Sequence, residues 1–330
     1  MVEKYIIGID LGATNVRVAL ANKEGKILNK IIEKTEKEKG AEAISKQIIR
    51  LIYSLINSIK KEDIMGIGIG SIGPLDLKRG GLLKTPNIPQ YDFIPLVEPI
   101  KEEFKINVEL LNDCNAAVLG EKIFGAGKNI DNLVYVTFST GIGGGAIVDG
   151  KLLLGKDGNA AEVGHITIDY EGKLKCGCGK RGHWEAYCSG ANIPNFIKLF
   201  LEKISEEEKK KSLLMKYSNY NIDNVSAKML YEAAKEKDEI SIKIVEEIGR
   251  LNAIGIANLI NVYDPSLITI GGAIALKNKE LVINPIKKYV GNYAVNRLPE
   301  IIITPLGDDI VLYGTIAAIL NKYCQNNPLL

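Results

Sequence analysis

Two short apolar runs open the chain, with a polar turn between them. Ile6, Ile7 and Ile9 precede Asp10-Leu11-Gly12-Ala13-Thr14, and Val16, Val18 and Leu20 follow it. A glycine among small polar residues between two such runs predicts a tight β-hairpin over residues 4–20. A third strand is expected over 26–32, after Glu24-Gly25. Residues 42–59 then place Ile44, Ile48, Leu51, Ile52 and Leu55 at helical spacing, which makes one buried helix face. A short apolar strand follows at 64–69. The Gly- and Pro-rich stretch 70–91 reads as loops around one short strand. A helix is expected at 93–104, a buried strand at 108–111, and a helix from Asp113 to about residue 124.

The opening pattern then recurs. Residues 133–138 read as a strand, Ser139-Thr140-Gly141 as a turn, 143–148 as a returning strand, Asp149-Gly150 as a hairpin signal, and 151–154 as a closing strand. Strand, polar turn, strand, turn, strand therefore occurs twice, a structural repeat with little sequence repetition. Beyond it come a Cys/Gly-rich loop at 172–190 and a mostly helical stretch at 191–262, interrupted by polar residues at 219–224. A strand at 267–270 runs into Gly271-Gly272. A helix at 280–289, a strand at 301–304 and a last helix at 309–323 complete the chain. Strands alternating with helices indicate an α/β architecture.

Composition narrows the class. With 330 residues, 46% apolar and 25% charged, the chain is long enough for two domains and ordinary for a soluble globular protein. A net charge of +2 suggests neither a nucleic-acid nor a membrane-surface partner. No apolar stretch is long enough to span a bilayer, and the N-terminus runs into a strand pattern without a leader, so a cytoplasmic location is expected. The five cysteines, Cys114, Cys176, Cys178, Cys188 and Cys324, are odd in number with two clustered. That favours a reducing compartment and a metal site over a disulfide framework.

Each glycine turn has a plain and a chemical reading. Asp10-Leu11-Gly12-Ala13-Thr14 is either a simple hairpin with an Asx turn or a phosphate loop. In the second reading Gly12 lets backbone N–H groups approach an anion, Thr14 donates a hydroxyl, and Asp10 holds magnesium through water. Ser139-Thr140-Gly141-Ile142-Gly143-Gly144-Gly145 is either a bulged hairpin or a second phosphate loop, since so many glycines in a sheet need a reason. Two such turns at matching places in a repeat predict a clamp on one triphosphate. Gly271-Gly272 is either a strand-to-helix turn or a flat surface for adenosine. No Gly-Lys-Ser/Thr phosphate loop is present, which points away from those NTPases and toward the actin-like ATPase arrangement.

The remaining chemistry is carried by a few side chains. Asn112-Asp113 ends a strand and opens a helix, where Asn112 caps the helix and Asp113 is left for chemistry. A carboxylate of ordinary pKa suffices to take a hydroxyl proton late in phosphoryl transfer. Glu162, His165 and Glu185 flank the cysteine loop, and Asn87 follows a stiffening proline; singly, each also fits a surface residue. His165, Cys176, Cys178 and His183 offer two imidazoles and two thiols, a tetrahedral zinc set, and they include both histidines of the chain. Solvent-facing thiols or a Cys176–Cys178 disulfide are the competing readings, and Cys188 is an alternative ligand. If zinc takes one ring nitrogen of His165, the other can still meet a sugar.

These motifs together resemble the ROK family of repressors, open reading frames and kinases, in its ATP-dependent glucokinase and hexokinase branch. The resemblance runs through Asp10-Leu11-Gly12-Ala13-Thr14, Gly68-Ile69-Gly70 with Gly73-Pro74-Leu75-Asp76, Thr85-Pro86-Asn87-Ile88-Pro89, Asn112-Asp113, the 139–145 turn, Glu162 with Gly164-His165, and the 176–185 loop. It implies an actin-like (ribonuclease H-like) fold of two domains with a ligand cleft between them, divided here as 1–115 with 308–330, and 116–307 bearing the zinc loop. It implies Asp113 as general base on a hexose 6-hydroxyl, with Gly70, Ser71, Asn87, Asn112, Glu162, His165 and Glu185 around the sugar. Asp10, Gly12, Ala13, Thr14, Asn15, Arg17, Thr140, Gly141, Gly271 and Gly272 fall on the ATP and Mg2+ side, and a structural Zn2+ sits on His165, Cys176, Cys178 and His183. Homodimers or homotetramers are usual in the family. The sequence departs from the pattern at His183, where a third zinc cysteine is usual, at Ile72, where proline is frequent, and near Tyr91, where tryptophan is common.

Rival readings differ in what they require. Repressor members carry a helix-turn-helix before the first hairpin, and here that hairpin falls within the first dozen residues. A non-catalytic sugar sensor does not need Asp113. An N-acetylglucosamine or N-acetylmannosamine kinase would use the same residues on the shared hydroxyls.

Overall fold

The computed structural model describes residues 3–57, 59–85 and 88–324, with side chains to Lys322. Asn87, expected at the sugar, lies outside the described residues. The strands are β1 (Tyr5–Leu11), β2 (Asn15–Asn22), β3 (Ile27–Lys34), β4 (Ile64–Ser71), β5 (Leu75–Asp76), β6 (Gly81–Thr85), β7 (Ile88–Pro95), β8 (Val108–Asn112), β9 (Leu133–Phe138), β10 (Ile142–Val148), β11 (Lys151–Leu152), β12 (Leu267–Gly271) and β13 (Glu300–Ile303). They form a five-stranded sheet in the order β3-β2-β1-β4-β8, a second in the order β11-β10-β9-β12-β13, and a small sheet β5-β6-β7.

The two large sheets have the same permutation. In each, an antiparallel hairpin and its third strand come first, and later strands add beside the first strand of the hairpin. In the first sheet β1 pairs antiparallel with β2 and parallel with β4, and β4 pairs parallel with β8. In the second, β12 and β13 are parallel. The two apolar–polar–apolar runs read from the sequence are thus equivalent elements of one repeated design.

The chain divides into two compact units, and the division falls inside β9 and β10. One comprises Met1–Tyr135, Gly145–Ala161 and Thr304–Leu330, the other Val136–Gly144 and Glu162–Ile303. In the first unit, Ile7, Ile9, Val16 and Val18 of the hairpin join Ile44, Ile48, Leu51 and Ile52 of helix Ala43–Leu55 in one core. This is the face that the helical spacing predicted. Helix Ile310–Cys324 lies against the same sheet, with Ile316 and Ile319 packed on Ile6 and Ala21. In the second unit Trp184 is fully buried beside Phe138, edge to face at 5.7 Å, and its ring N–H donates to Asn252 Oδ1 at 2.8 Å. A buried indole with its one donor satisfied anchors the cysteine loop beneath the 25-residue helix Glu239–Tyr263.

The structure departs from the sequence pattern in two places. Where one short strand was expected at 70–91, three strands lie between residues 75 and 95, because Leu75, Leu82 and Ile94 align across β5-β6-β7 and bury together. The helix expected from residue 93 begins at Val97. Phe93 and Ile94 pair with Leu83 and Leu82, and the N–H groups of Leu96 and Val97 both bond Gly80 O, so the backbone reaches residue 97 before it is free to coil. Among the described residues no helix is long and apolar enough to cross a membrane.

Candidate active site

The first unit gathers its polar groups at one sheet edge. Parallel register aligns Leu11, Ser71 and Asn112 at the carboxyl ends of β1, β4 and β8. This is the edge at which open α/β sheets bind ligands. Asp10 sits one residue back on β1, opposite Arg17 on β2 and beside Gly70 on β4. Asn112 caps helix Asp113–Ile123 by accepting from Cys114 N at 2.9 Å. Asp113 was expected to stay clear of capping, yet its Oδ1 also accepts from Cys114 N, at 2.7 Å. A carboxylate at the first helical position folds back readily on the exposed N–H groups of that turn.

The turn after Asp10 is closed by its own backbone and by a residue the sequence reading missed. Gly12 N donates to Asn15 O at 2.9 Å, Thr35 Oγ1 donates to Gly12 O at 2.7 Å, and Thr35 N donates to Thr14 O at 3.0 Å. Arg17 is held by Asp308 O at 2.6 Å and lies 3.8 Å from Asp10 Oδ2, while Asp309 pairs with Lys30. Burial pushes the Asp10 carboxyl up to about 7 against the pull of Arg17, and the nearby Asp113 and Asp309 push it further. Crowded acids in a desolvated corner fit a divalent cation, which reverses that penalty. Asp308 and Asp309 are not among the expected site residues either; the sequence reading takes Asp309 only as the start of the last helix.

Gly70 and Ser71 have structural partners as well. A Cβ on Gly70 would lie 2.6 Å from Val311 Cγ1, and the buried Ser71 hydroxyl donates to Ile72 O at 3.1 Å.

In the second unit the turn between β9 and β10 is fastened to the segment after the cysteine loop. Gly190 N donates to Ser139 O at 2.8 Å and Ala191 N to Thr140 O at 3.1 Å. Ile142 N donates to Glu185 Oε2 at 3.0 Å. A Cβ on Gly141 would fall 2.6 Å from that same oxygen, so a side chain here would push the Glu185 carboxylate aside. Gly272, at φ +85°, opens helix Gly272–Lys277, and a Cβ there would meet Phe138 O at 2.5 Å. Gly271 is the cap residue preceding it.

His165, Cys176, Cys178 and His183 come together with their ligand atoms within 4.8 Å of one another. Cys176 Sγ is 3.7 Å from His165 Nδ1, and Cys178 Sγ is 3.3 Å from His183 Nδ1. Tetrahedral zinc with ordinary bond lengths puts sulfur and nitrogen ligands roughly 3.6 Å apart, so the donor set and spacing fit that ion. Burial drives the Cys176 thiol up to about 12 and holds His183 below its usual range, the latter helped by His165. Neutral imidazoles are ready ligands, whereas a thiolate in this position needs a cation beside it. The four cysteines with described side chains are free, and Cys188 is buried with its thiol on Ile248 O, outside the cluster. His165 has its Nε2 3.9 Å from Glu162 Oε2, so one ring nitrogen faces the cysteines and the other a carboxylate. Burial raises the Glu162 carboxyl, opposed by His165 and reinforced by Glu185.

The duplicated sheet with a polar turn in each first hairpin is the actin-like ATPase fold. Residues 6–322 match the ROK family, and the chain belongs to it. It is 38% identical over 314 residues to a glucokinase of Pyrobaculum calidifontis, covering 95% of this chain and 94% of that one. To a glucokinase of Thermotoga maritima it is 33% identical, covering 96% and 98%. Among solved structures it is similar to a ROK family glucokinase from Streptomyces griseus in complex with glucose and AMPPNP, with a TM-score of 0.77 and 31% identity, covering 94% and 98%.

Proposed function

We propose that this chain is an ATP-dependent hexose kinase of the cytoplasm that phosphorylates the 6-hydroxyl of glucose or a close relative. The observation that carries the reading is the carboxyl edge of β1, β4 and β8. There Asp10 of β1 lies within electrostatic reach of Asp113, which opens the helix after β8. Full-length similarity to glucokinases, one of them solved with glucose and an ATP analogue, supports it.

In this reading Asp113 accepts the hydroxyl proton as the phosphoryl group moves, and Asn112 fixes the helix start that aims it. Asp10, Gly12, Ala13, Thr14, Asn15 and Arg17 serve the phosphates and their Mg2+. Thr140, Gly141, Gly271 and Gly272 serve the nucleotide. Asp10 would hold a magnesium ion through water, and that ion would neutralise charge on the triphosphate. Asn87, Glu162, His165 and Glu185 read the sugar hydroxyls. Zn2+ on His165, Cys176, Cys178 and His183 would be structural, fixing the His165 ring so that Nε2 stays toward Glu162. The working state is a homodimer or homotetramer.

A coupled assay of ATP consumption across glucose, mannose, fructose, glucosamine and N-acetylglucosamine tests the reading. Turnover on glucose or mannose is expected. ATP consumption that none of the free hexoses stimulates would overturn it, and turnover confined to N-acetylglucosamine would move the substrate to the acylated amino sugars.

A further inference from the structure

Glu185 stands at a junction that sugar recognition does not require. Its two carboxylate oxygens have different partners on different segments. Oε2 accepts from Ile142 N at 3.0 Å, and Oε1 lies 3.5 Å from Cys176 Sγ in the metal cluster. The acceptor is charged and half-buried, the donor a backbone N–H, so this bond belongs to the stronger class. It is one of three that fasten the β9–β10 turn to residues 185–191. The others, Gly190 N to Ser139 O and Ala191 N to Thr140 O, pin the turn's carbonyls. Glu185 opens helix Glu185–Cys188, whose preceding residue, Trp184, is locked in the core through Asn252. The carboxylate is therefore presented by a rigid support. Gly141 leaves room for it, because the nearest atom to a Cβ there is Glu185 Oε2 itself, at 2.6 Å.

We infer that Glu185 is a positioning residue for the nucleotide. Through Ile142 N it sets the shape of the 139–142 turn, and Gly141 is a glycine so that this carboxylate can enter. The inference rests on the proposal that the turn binds ATP, and it adds a path by which the sugar-reading, metal-bound loop preorganises the nucleotide loop. Two roles meet in one side chain: one carboxylate edge holds the turn, and the other faces the metal cluster.

The test measures the affinity of Mg2+–AMPPNP for the sugar-free, metal-loaded enzyme by calorimetry. Loss of one charge-assisted hydrogen bond weakens binding by about tenfold. Glu185→Ala is expected to show that loss. Glu185→Gln keeps an acceptor oxygen for Ile142 N but loses the charge assistance, so its loss should be smaller, about threefold. Gly141→Ala should weaken binding by pushing the carboxylate aside, and should add nothing in the Glu185→Ala background, where no carboxylate remains to be displaced. Wild-type affinity in Glu185→Ala, a loss in Glu185→Gln as large as in the alanine variant, or an undiminished Gly141→Ala effect in the double variant would each overturn the inference. If Glu185→Ala does not fold, the contrast between Glu185→Gln and Gly141→Ala decides. Wild-type enzyme that binds no nucleotide would overturn the kinase reading itself.

Discussion

The hairpin of β1 and β2 carries its own carboxylate, whereas the hairpin of β9 and β10 takes one from Glu185, 43 residues away in sequence. The sheets behind them have the same strand order. The first turn is closed by Gly12, Asn15 and Thr35, with Asp10 half-buried beside Arg17 and two further acids nearby. The second is closed from outside, by residues 185–191 that follow the His/Cys cluster. The difference suggests a division of labour. The first turn lies beside a concentration of negative charge, and the second is shaped by a carboxylate on a rigid support from elsewhere in the chain. Loss of an acid at the first edge should fall on kcat, and loosening of either turn on nucleotide binding.

The largest effect should come from Asp113→Asn. It preserves shape and removes the proton acceptor, so turnover should fall by a factor of about a thousand or more, in the upper range for loss of a general base. Sugar affinity, measured by calorimetry, should stay within a few fold. Near-normal turnover in this variant would take the chemistry away from the first edge and end the comparison.

Asp10→Asn comes next and separates charge from shape. In the metal-free protein Asp10 titrates near 7, against 3.8 for an unburied aspartate. Between these values the folded chain holds a proton that the unfolded chain has released, so stability falls as pH rises through the window. Linkage over this interval puts the loss between pH 5 and pH 8 at roughly 2 to 3 kcal/mol. The asparagine variant should lack that slope. In magnesium-free buffer it should be more stable than wild type at pH 8, and closer to it at pH 5, by urea denaturation, while its turnover falls about a hundredfold. A wild-type curve flat from pH 5 to pH 8 would mean that Asp10 is not the charged corner argued for the first turn.

Stripping metal from the cysteine cluster should discriminate the two turns directly. Metal analysis of the native protein should give about one zinc per chain. After removal, hydrogen exchange at Ile142 and its neighbours should quicken by about tenfold, because the frame behind Glu185 loosens, while exchange at Gly12 stays the same. Equal loosening of both turns, or full activity without metal, would erase the distinction.

Much of this architecture is legible in the order of residues alone, for definite reasons. Alternating residues such as Val16, Val18 and Leu20 around a polar glycine turn leave few alternatives to a hairpin, and a second instance in the same context identifies the duplication. His165, Cys176, Cys178 and His183 stand out because these side chains are rare here and close in sequence. The strands β5 and β6 do not, since two- and five-residue strands among glycines and prolines have too few positions to show a period, and the eight-residue β7 buries only Ile88 and Ile94 fully, so its pattern does not alternate. Thr35 and the link from Glu185 to Ile142 are hidden for a different reason. One partner in each is a backbone atom, which leaves no mark on residue identity, and the partners are 23 and 43 positions apart.

Thr35→Val offers the finest test. It removes the hydroxyl bond to Gly12 O while the backbone bond from Thr35 N to Thr14 O remains. Valine has nearly the volume of threonine, so packing around this mostly buried side chain changes little. Gly12 O loses one partner at a turn that water can reach, which costs about 1 kcal/mol. If the first turn is self-contained, that cost appears where the turn meets phosphate: KM for ATP should rise about fivefold, kcat should change by less than twofold, and sugar affinity should not move. A fall in kcat at constant KM would mean instead that Thr35 aligns Asp10 for chemistry, and that the β1–β2 turn is no more self-contained than its counterpart.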